Sequence, residues 1–115
     1  MANTFKVVTK AGVTSEDTIY TVAASTTTVI LGLVLGNTTS SQTTATVTLS
    51  SDTANRAGAN NEANQDVELV TDAPIPSGSS LELLSGNKVV LETTDAIKVT
   101  AGASTDVCLS IMEIT

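Results

Sequence analysis

The sequence predicts an all-β protein: an antiparallel β-sandwich of about eight or nine short strands, with an Ig-like or jelly-roll-like Greek-key arrangement. Val, Ile, Leu and Ala supply nearly all of its 41% hydrophobic residues, Thr makes up about a fifth of the chain, and Phe5 and Tyr20 are the only aromatic residues. Apolar positions recur with a period of two almost throughout, and turn signals separate the alternating runs. β-Branched residues in such alternation fit a pleated sheet, and closely spaced turns favour a sandwich.

The 115 residues suit a single domain, and no stretch shows a helical stripe. The first strand alternates from Thr4 to Thr9, and the last alternates inward Val107, Leu109 and Ile111 with Cys108 and its neighbours. Strands are predicted over residues 4–9, 18–22, 27–37, 43–50, 67–71, 81–84, 89–91, 97–100 and 107–114.

Two of these strands carry a prediction about their faces. Residues 27–37 are apolar at consecutive positions, so we expect both faces to be covered, with a bulge or a close backbone approach at Gly32. Residues 43–50 alternate, and Thr44, Thr46 and Thr48 are expected on a solvent-exposed face.

Turns are predicted between the strands from Gly, Pro, Asn and Asp. Residues 10–17 with Gly12 form the first, residues 72–78 with two prolines form a strong stop, and residues 92–95 and 102–105 form two more. Gly86 and Asn87 lie between apolar runs, which is the signal for a two-residue hairpin.

Residues 51–65 are rich in Asn and Ala and contain no large apolar side chain, which predicts a long surface loop. Its polar side chains are the candidate contacts for a partner: Asn55, Arg56, Asn60, Asn61, Glu62 and Asn64. A merely tolerated insertion is the alternative. A calcium site is a further alternative, because the loop offers oxygen ligands, although their spacing does not match an EF-hand. Those ligands would be Asp52, Asn55, Asn60, Glu62 and Asp66.

The net charge of −7 argues against nucleic acid and anionic membranes as partners, because both attract clustered Lys and Arg. The basic residues are instead scattered: Lys6, Lys10, Arg56, Lys88 and Lys98. The chain starts without the features of a secretory signal, and its most apolar stretch, residues 29–35, is too short to cross a bilayer. We expect a protein that is made in the cytosol.

No enzymatic activity, cofactor or catalytic residue is expected. The chain has no His, and its single Cys, Cys108, lies in an apolar alternating run typical of an inert core thiol. Three carboxylate pairs lie in predicted turns and are interpreted as solvated charges. The pairs are Glu16 with Asp17, Glu62 with Asp66, and Glu92 with Asp95. The scarcity of aromatic side chains argues against a sugar-binding site.

Several segments together resemble small virion structural proteins of tailed bacteriophages, especially phages of cyanobacteria and other aquatic bacteria. The resemblance covers most of the chain outside residues 51–65. It is carried by residues 18–22, 27–33, 37–40, 73–81, 88–92, 95–100 and 106–115. One departure is Thr94, where such proteins commonly have Gly before the Asp of the Asp-x-Ile-x-Val strand.

The resemblance implies a role in the virion, made in the host cytoplasm. Such proteins decorate or cement the capsid by binding the major capsid protein or other virion proteins, often as homo-oligomers and frequently as trimers. A tail, baseplate or fibre component is the alternative within the particle. A carbohydrate- or host-surface-binding module is the alternative from another class.

Overall fold

The computed structural model describes residues 2–51, 65–83 and 88–115. Nine strands and no helix occur within these residues, as the alternating pattern predicts. The strands are β1 (Asn3–Val13), β2 (Glu16–Thr21), β3 (Thr27–Asn37), β4 (Thr43–Ser51), β5 (Gln65–Ile75), β6 (Ser80–Leu83), β7 (Val89–Leu91), β8 (Ala96–Ala101) and β9 (Thr105–Ile114).

The strands form two antiparallel sheets, which confirms the predicted β-sandwich. Sheet A has the order β1-β9-β3-β6, with β7 also paired to β3, and sheet B has the order β2-β8-β4-β5. The inward side chains of both sheets pack into one apolar core. Its largest fully buried members are Ile30, Leu33, Leu35, Ile75, Leu91, Ile97, Leu109 and Ile111.

The pairing order is that of a jelly roll rather than an Ig-like sandwich. β6 and β7 pair one after the other with β3, so they act as a single interrupted edge strand. With β6 and β7 counted as one strand, the described residues form eight strands whose pairs are nested. The first strand pairs with the last, the second with the second-last, and so on inward: β1–β9, β2–β8, β3–β6/β7 and β4–β5. This nesting is the pattern of an eight-stranded double Greek key.

The same pairing shows that the predicted hairpin around Gly86 and Asn87 is wrong. The two flanking strands continue along β3 instead of pairing with each other. Residues 84–87 themselves lie outside the described residues. A Gly-Asn pair between apolar runs gives a hairpin when the two runs pair with each other. Here both runs pair with a third strand, β3, instead.

Two strands run through predicted turns. β1 continues to Val13 across a register shift, where Gly12 has a φ of +69° and its N–H donates to Asp106 Oδ1 at 2.9 Å. β5 continues through Pro74 to Ile75. A proline is tolerated there because, among the described strands, β5 is the edge strand of sheet B, where a backbone N–H can be missing without breaking a ladder. The chain turns only afterwards, at Gly78 with a φ of +70°.

Both predictions about strand faces need correction. β3 is buried on one face only: Ile30 and Leu33 point into the core, whereas Val34 points outward and is exposed. The bulge at Gly32 is confirmed by the register shift between Ile30 and Gly32. On β4, Thr44 is exposed as predicted, whereas Thr46 and Thr48 are buried. Thr48 lies between the longer side chains of Lys98 and Glu68, and the Thr46 hydroxyl is bonded to the Asp72 N–H.

The predicted turn at residues 92–95 is confirmed, and its geometry is closed by Asp95. The Asp95 N–H donates to Glu92 O at 3.0 Å, and Asp95 Oδ2 accepts from the Glu92 N–H at 3.0 Å. Backbone hydrogen bonds from this turn to Val22 O and from the Val22 N–H to Asp95 O fix it against sheet B. Thr94 adopts a φ of +74°, the left-handed region that glycine favours.

Replacing Thr94 with Gly should therefore stabilise the protein by about 0.5–1 kcal/mol. The left-handed conformation costs an L-residue roughly 1–2 kcal/mol, and a β-branched residue is the least suited to it. Glycine loses more backbone entropy on folding, which offsets part of the gain. Urea unfolding measures the difference, and Thr44→Gly, at an exposed strand position, is the control that should destabilise. A loss of stability in Thr94→Gly would contradict the assignment of strain to this turn.

Candidate interaction surface

The six candidate contact residues of the long loop, Asn55, Arg56, Asn60, Asn61, Glu62 and Asn64, lie outside the described residues. Of the alternative calcium ligands, only Asp66 is described, and it lies on β5 opposite Ser50. Within the described ranges, no group of three or more His, Cys, Asp or Glu side chains could hold a metal ion. No helix in the described part of the chain is long and apolar enough to span a membrane.

The carboxylate pairs are placed in structural roles where they are described. Glu16 and Asp17 lie on β2, not in a turn, and Asp17 Oδ2 is 3.8 Å from Lys10 Nζ on β1. Glu92 and Asp95 close the turn described above. Glu62 lies outside the described residues, so the pair it forms with Asp66 stays a prediction.

The outward side of sheet A, here called outer face A, is largely apolar. Residues directly opposite each other in an antiparallel pair point to the same face, so the pairing register identifies its members. They are Phe5, Val7 and Thr9 on β1, Asp106, Cys108, Ser110 and Met112 on β9, Val29, Gly32, Val34 and Gly36 on β3, Ser80 and Glu82 on β6, and Val90 on β7.

One cross-strand row of outer face A is apolar across the whole sheet. Val90 pairs with Val29, Val29 with Met112, and Met112 with Phe5. Phe5 is 71% exposed, Val90 is 57% exposed, and Val7 in the next row is 63% exposed. Four of the five exposed large hydrophobic side chains in the described residues belong to this face. Apolar surfaces of this kind are typical of contact sites in other proteins, which makes outer face A the candidate interaction surface.

The other end of outer face A is hollow. Gly32 and Gly36 carry no side chain there, and a Cβ added at Gly32 would meet no atom within 4 Å. A shallow hollow of about 360 Å³ lies beside Gly36. It is lined by Thr9, Lys10, Ala11, Val34, Gly36, Asp106, Val107 and Cys108. Cys108 is thus a half-buried thiol on outer face A. Its prediction as a core thiol is wrong, because its side chain belongs to the outward-pointing set of alternate residues on β9.

The outward side of sheet B, here called outer face B, is polar. Its rows join Thr18, Lys98, Thr48 and Glu68, and then Glu16, Thr100 and Thr46. The Thr46 hydroxyl accepts a hydrogen bond from the Asp72 N–H at 3.0 Å. The sandwich therefore has one hydrated face with charges of both signs and one face on which hydrophobic side chains meet solvent.

A polar network closes one end of the sandwich between the sheets. The Tyr20 hydroxyl donates to Glu113 Oε2 at 2.6 Å and lies 2.7 Å from Thr28 Oγ1. Lys6 Nζ is 2.7 Å from Glu113 Oε1. Burial and the hydrogen bond to Glu113 raise the pKa of Tyr20 to about 12, while the hydrogen bonds from Lys6 and Tyr20 lower the pKa of Glu113. Since Tyr20 belongs to sheet B and Glu113 to sheet A, the network ties the sheets together.

The lowered pKa of Glu113 predicts a contribution to stability that depends on pH. A carboxyl group whose pKa is lower in the folded state stabilises fully above its unfolded value, near 4.5, and loses this effect as pH falls through the folded value. The advantage of the wild type over Glu113→Gln in free energy of unfolding should therefore shrink below pH 4.5. Glu16→Gln, on outer face B, controls for the loss of one negative charge. A gap that stays constant with pH would contradict the network's role.

Sequence reasoning missed outer face A, although one signal was present. β9 is apolar in both phases of its alternation, with Cys108, Met112 and Ile114 in one phase and Leu109 and Ile111 in the other. A strand that is apolar in both phases is typical of a sheet covered on both sides. Among residues 2–51, 65–83 and 88–115, the core packs against only one side of sheet A.

Comparison with known proteins does not assign the chain to a family. No protein-family model matches the sequence, and a search of curated proteins finds no match. One similar solved structure is a chain from Bacillus endospore appendages, which are described as a novel family of disulfide-linked pili. It is 16% identical, the match covers 96% of this chain and 85% of that chain, and the TM-score is 0.44. A likeness of this degree does not assign a function.

Proposed function

We propose that the chain is a structural protein of a virion, and most specifically a decoration or cement protein that binds the outer shell of a bacteriophage capsid in many copies. The observation that carries this proposal is the contrast between the two faces of the sandwich. Outer face B is polar and suits contact with water, whereas outer face A presents Phe5, Val7 and Val90 and suits contact with protein. Its partners would be the major capsid protein and further copies of itself.

The chemistry of the surface supports a role in binding other proteins rather than in catalysing a reaction. A rigid double sheet holds its surface residues in fixed positions. Many copies that each bind weakly can therefore give strong attachment together. The resemblance of the sequence to small phage virion proteins supplies the kind of particle. The homo-oligomer proposed with it, a trimer in the first instance, would match the symmetry of a capsid.

Counting the copies of the chain in purified particles tests the proposal. A decoration protein should be present in numbers comparable to the capsomers and should be located on the shell by labelled electron microscopy. Particles that lack it should lose their DNA at lower temperature or milder osmotic shock than particles to which the purified chain has been added back. A few copies at the tail would instead establish the tail, baseplate or fibre alternative. Absence from the particle would refute both.

The long loop gives a separate prediction. Deleting residues 55–64 should leave the sandwich folded but weaken attachment to the particle, because the candidate contact residues are removed. Thermal unfolding and a particle co-sedimentation assay measure the two effects. A deletion of residues 85–87, which lie between β6 and β7 and include none of the candidate contact residues, is the matched control for a shortened connection. Unfolding of the 55–64 deletion would show that the loop is structural.

A further inference from the structure

We infer that outer face A is the surface through which copies of this chain associate with one another. The inference rests on the multi-copy part of the proposed function and names the residues that would carry it. The occupant of the face is a second copy of the chain, and three features of the face support this choice.

The first feature is size. β1, β9 and β3 each have 10 or 11 residues, and the sheet is four strand positions wide. At about 3.4 Å per residue and 4.8 Å per strand, the face measures roughly 35 by 19 Å, or on the order of 600 Å² in projection. A standard protein interface buries about 800 Å² of accessible surface per partner, and accessible surface exceeds projected area. The face is therefore large enough to hold two copies together.

The second feature is charge. The chain carries a net charge of −7, so two copies repel each other over most of their surface. Among the described strand residues, the pairing register places two charged side chains on outer face A, Glu82 and Asp106, and Lys10 lines the hollow; all three lie away from the apolar row. Two copies meet there with the least repulsion. A partner of opposite charge, by contrast, finds no acidic cluster on this face to recognise.

The third feature is the shape of the surface. Phe5 and Val7 form a ridge on the edge strand β1, and the hollow beside Gly36 lies on the same face, lined by residues of β1, β9 and β3. The hollow, at about 360 Å³, falls at the small end of the roughly 300–1,000 Å³ range in which proteins bind small molecules, so one aromatic side chain fits. The ridge of one copy and the hollow of another are complementary, and each copy carries both. The same chain thus provides both halves of the contact.

Analytical ultracentrifugation of the purified full chain, with two variants of the face, tests this inference. The wild type should sediment as a defined oligomer of two or more copies. Val7→Asp places a charge on the ridge, and Gly36→Val fills the hollow from its floor; each should weaken association at least tenfold. Gly36→Val is sterically permitted, since the nearest atom to an added Cβ is Asp106 O at 4.0 Å. Thr18→Asp adds the same charge to outer face B and should leave association unchanged.

Circular dichroism at low concentration checks that each variant is folded, and Gly36→Val decides the question if Val7→Asp does not fold. A monomeric wild type would overturn the inference, and so would an oligomer that neither folded variant weakens. The proposed function fails separately: an oligomer that does not attach to particles would refute decoration and leave self-association intact.

Discussion

Replacing Asn37 with Asp should destabilise the protein by about 2–4 kcal/mol at neutral pH. Asn37 is buried at the end of β3, and its side-chain amide uses its full hydrogen-bonding capacity. Nδ2 donates to Ser41 O and to Ile75 O, each at 2.9 Å, and Oδ1 accepts from the Thr39 N–H at 2.9 Å and from the Thr39 hydroxyl. One side chain thereby fixes the turn after β3 and the end of β5.

The expected size follows from what the substitution leaves behind. A carboxylate has no donor, so the carbonyl oxygens of Ile75, which is buried, and of Ser41 lose the hydrogen bond from this side chain and face a negative charge instead. Each buried polar group without a partner costs about 1–3 kcal/mol. Burial beside carbonyl oxygens disfavours the charged form of the new Asp, so the destabilisation should decrease as pH falls and the carboxyl group becomes protonated.

Urea unfolding as a function of pH measures this effect. Asn3→Asp makes the same chemical change at an exposed position of β1 and should alter the free energy of unfolding by less than about 0.5 kcal/mol. Asn37→Ala separates the lost hydrogen bonds from the added charge, and its effect should be smaller than that of Asn37→Asp at neutral pH. If Asn37→Asp behaved like Asn3→Asp, the amide would not be the organiser of this turn.

The sequence was sufficient to predict where most strands lie, because alternation is a local property. It identified the inward phase of β9 through Val107, Leu109 and Ile111, all of which are buried. On β1 the alternation alone does not show which phase faces the core, and Phe5 and Val7 point outward. β1 is an edge strand, where Lys6 and Lys10 occupy the inward phase and their ammonium groups lie beside the carboxylates of Glu113 and Asp17.

Pairing between strands could not be predicted from local signals. The turn chemistry of Gly86 and Asn87 describes an isolated hairpin, and only the presence of β3 beside both runs shows that β6 and β7 are one edge strand. Similarly, Gly12 reads as a turn residue, yet it supports a bulge whose N–H is bonded to Asp106 on the last strand. These outcomes depend on residues far apart in the chain.

The candidate surface was missed for the same reason. Composition identifies a polar, side-chain-poor segment such as residues 51–65, because that property is contiguous in sequence. The apolar row joins Phe5, Val29, Val90 and Met112, which are brought together only by the register of four strands. A surface assembled in this way appears only after the strands have been paired.

The inward phase of β9 leads to the second large expected effect: Leu109→Ala should destabilise the protein by about 2–5 kcal/mol. Leu109 is fully buried on an inner strand of sheet A, opposite Val8 on β1 and Leu33 on β3. Truncation removes buried hydrophobic surface and leaves a cavity that the two neighbouring strands cannot close without losing their hydrogen-bonded register. Because a domain of this size is stable by only about 5–15 kcal/mol, the loss is a large share of the total.

Val67→Ala on β5 is the matched control, since Val67 is 44% exposed and does not belong to outer face A. Its truncation should cost less than about 1 kcal/mol, because its removed methyl groups are already in contact with water. Chemical unfolding of both variants at the same protein concentration compares the two sheets directly. If Leu109→Ala cost less than Val67→Ala, the inward and outward phases of β9 would be exchanged. Cys108 and Met112 would then be core residues, and outer face A would lose the middle of its apolar row.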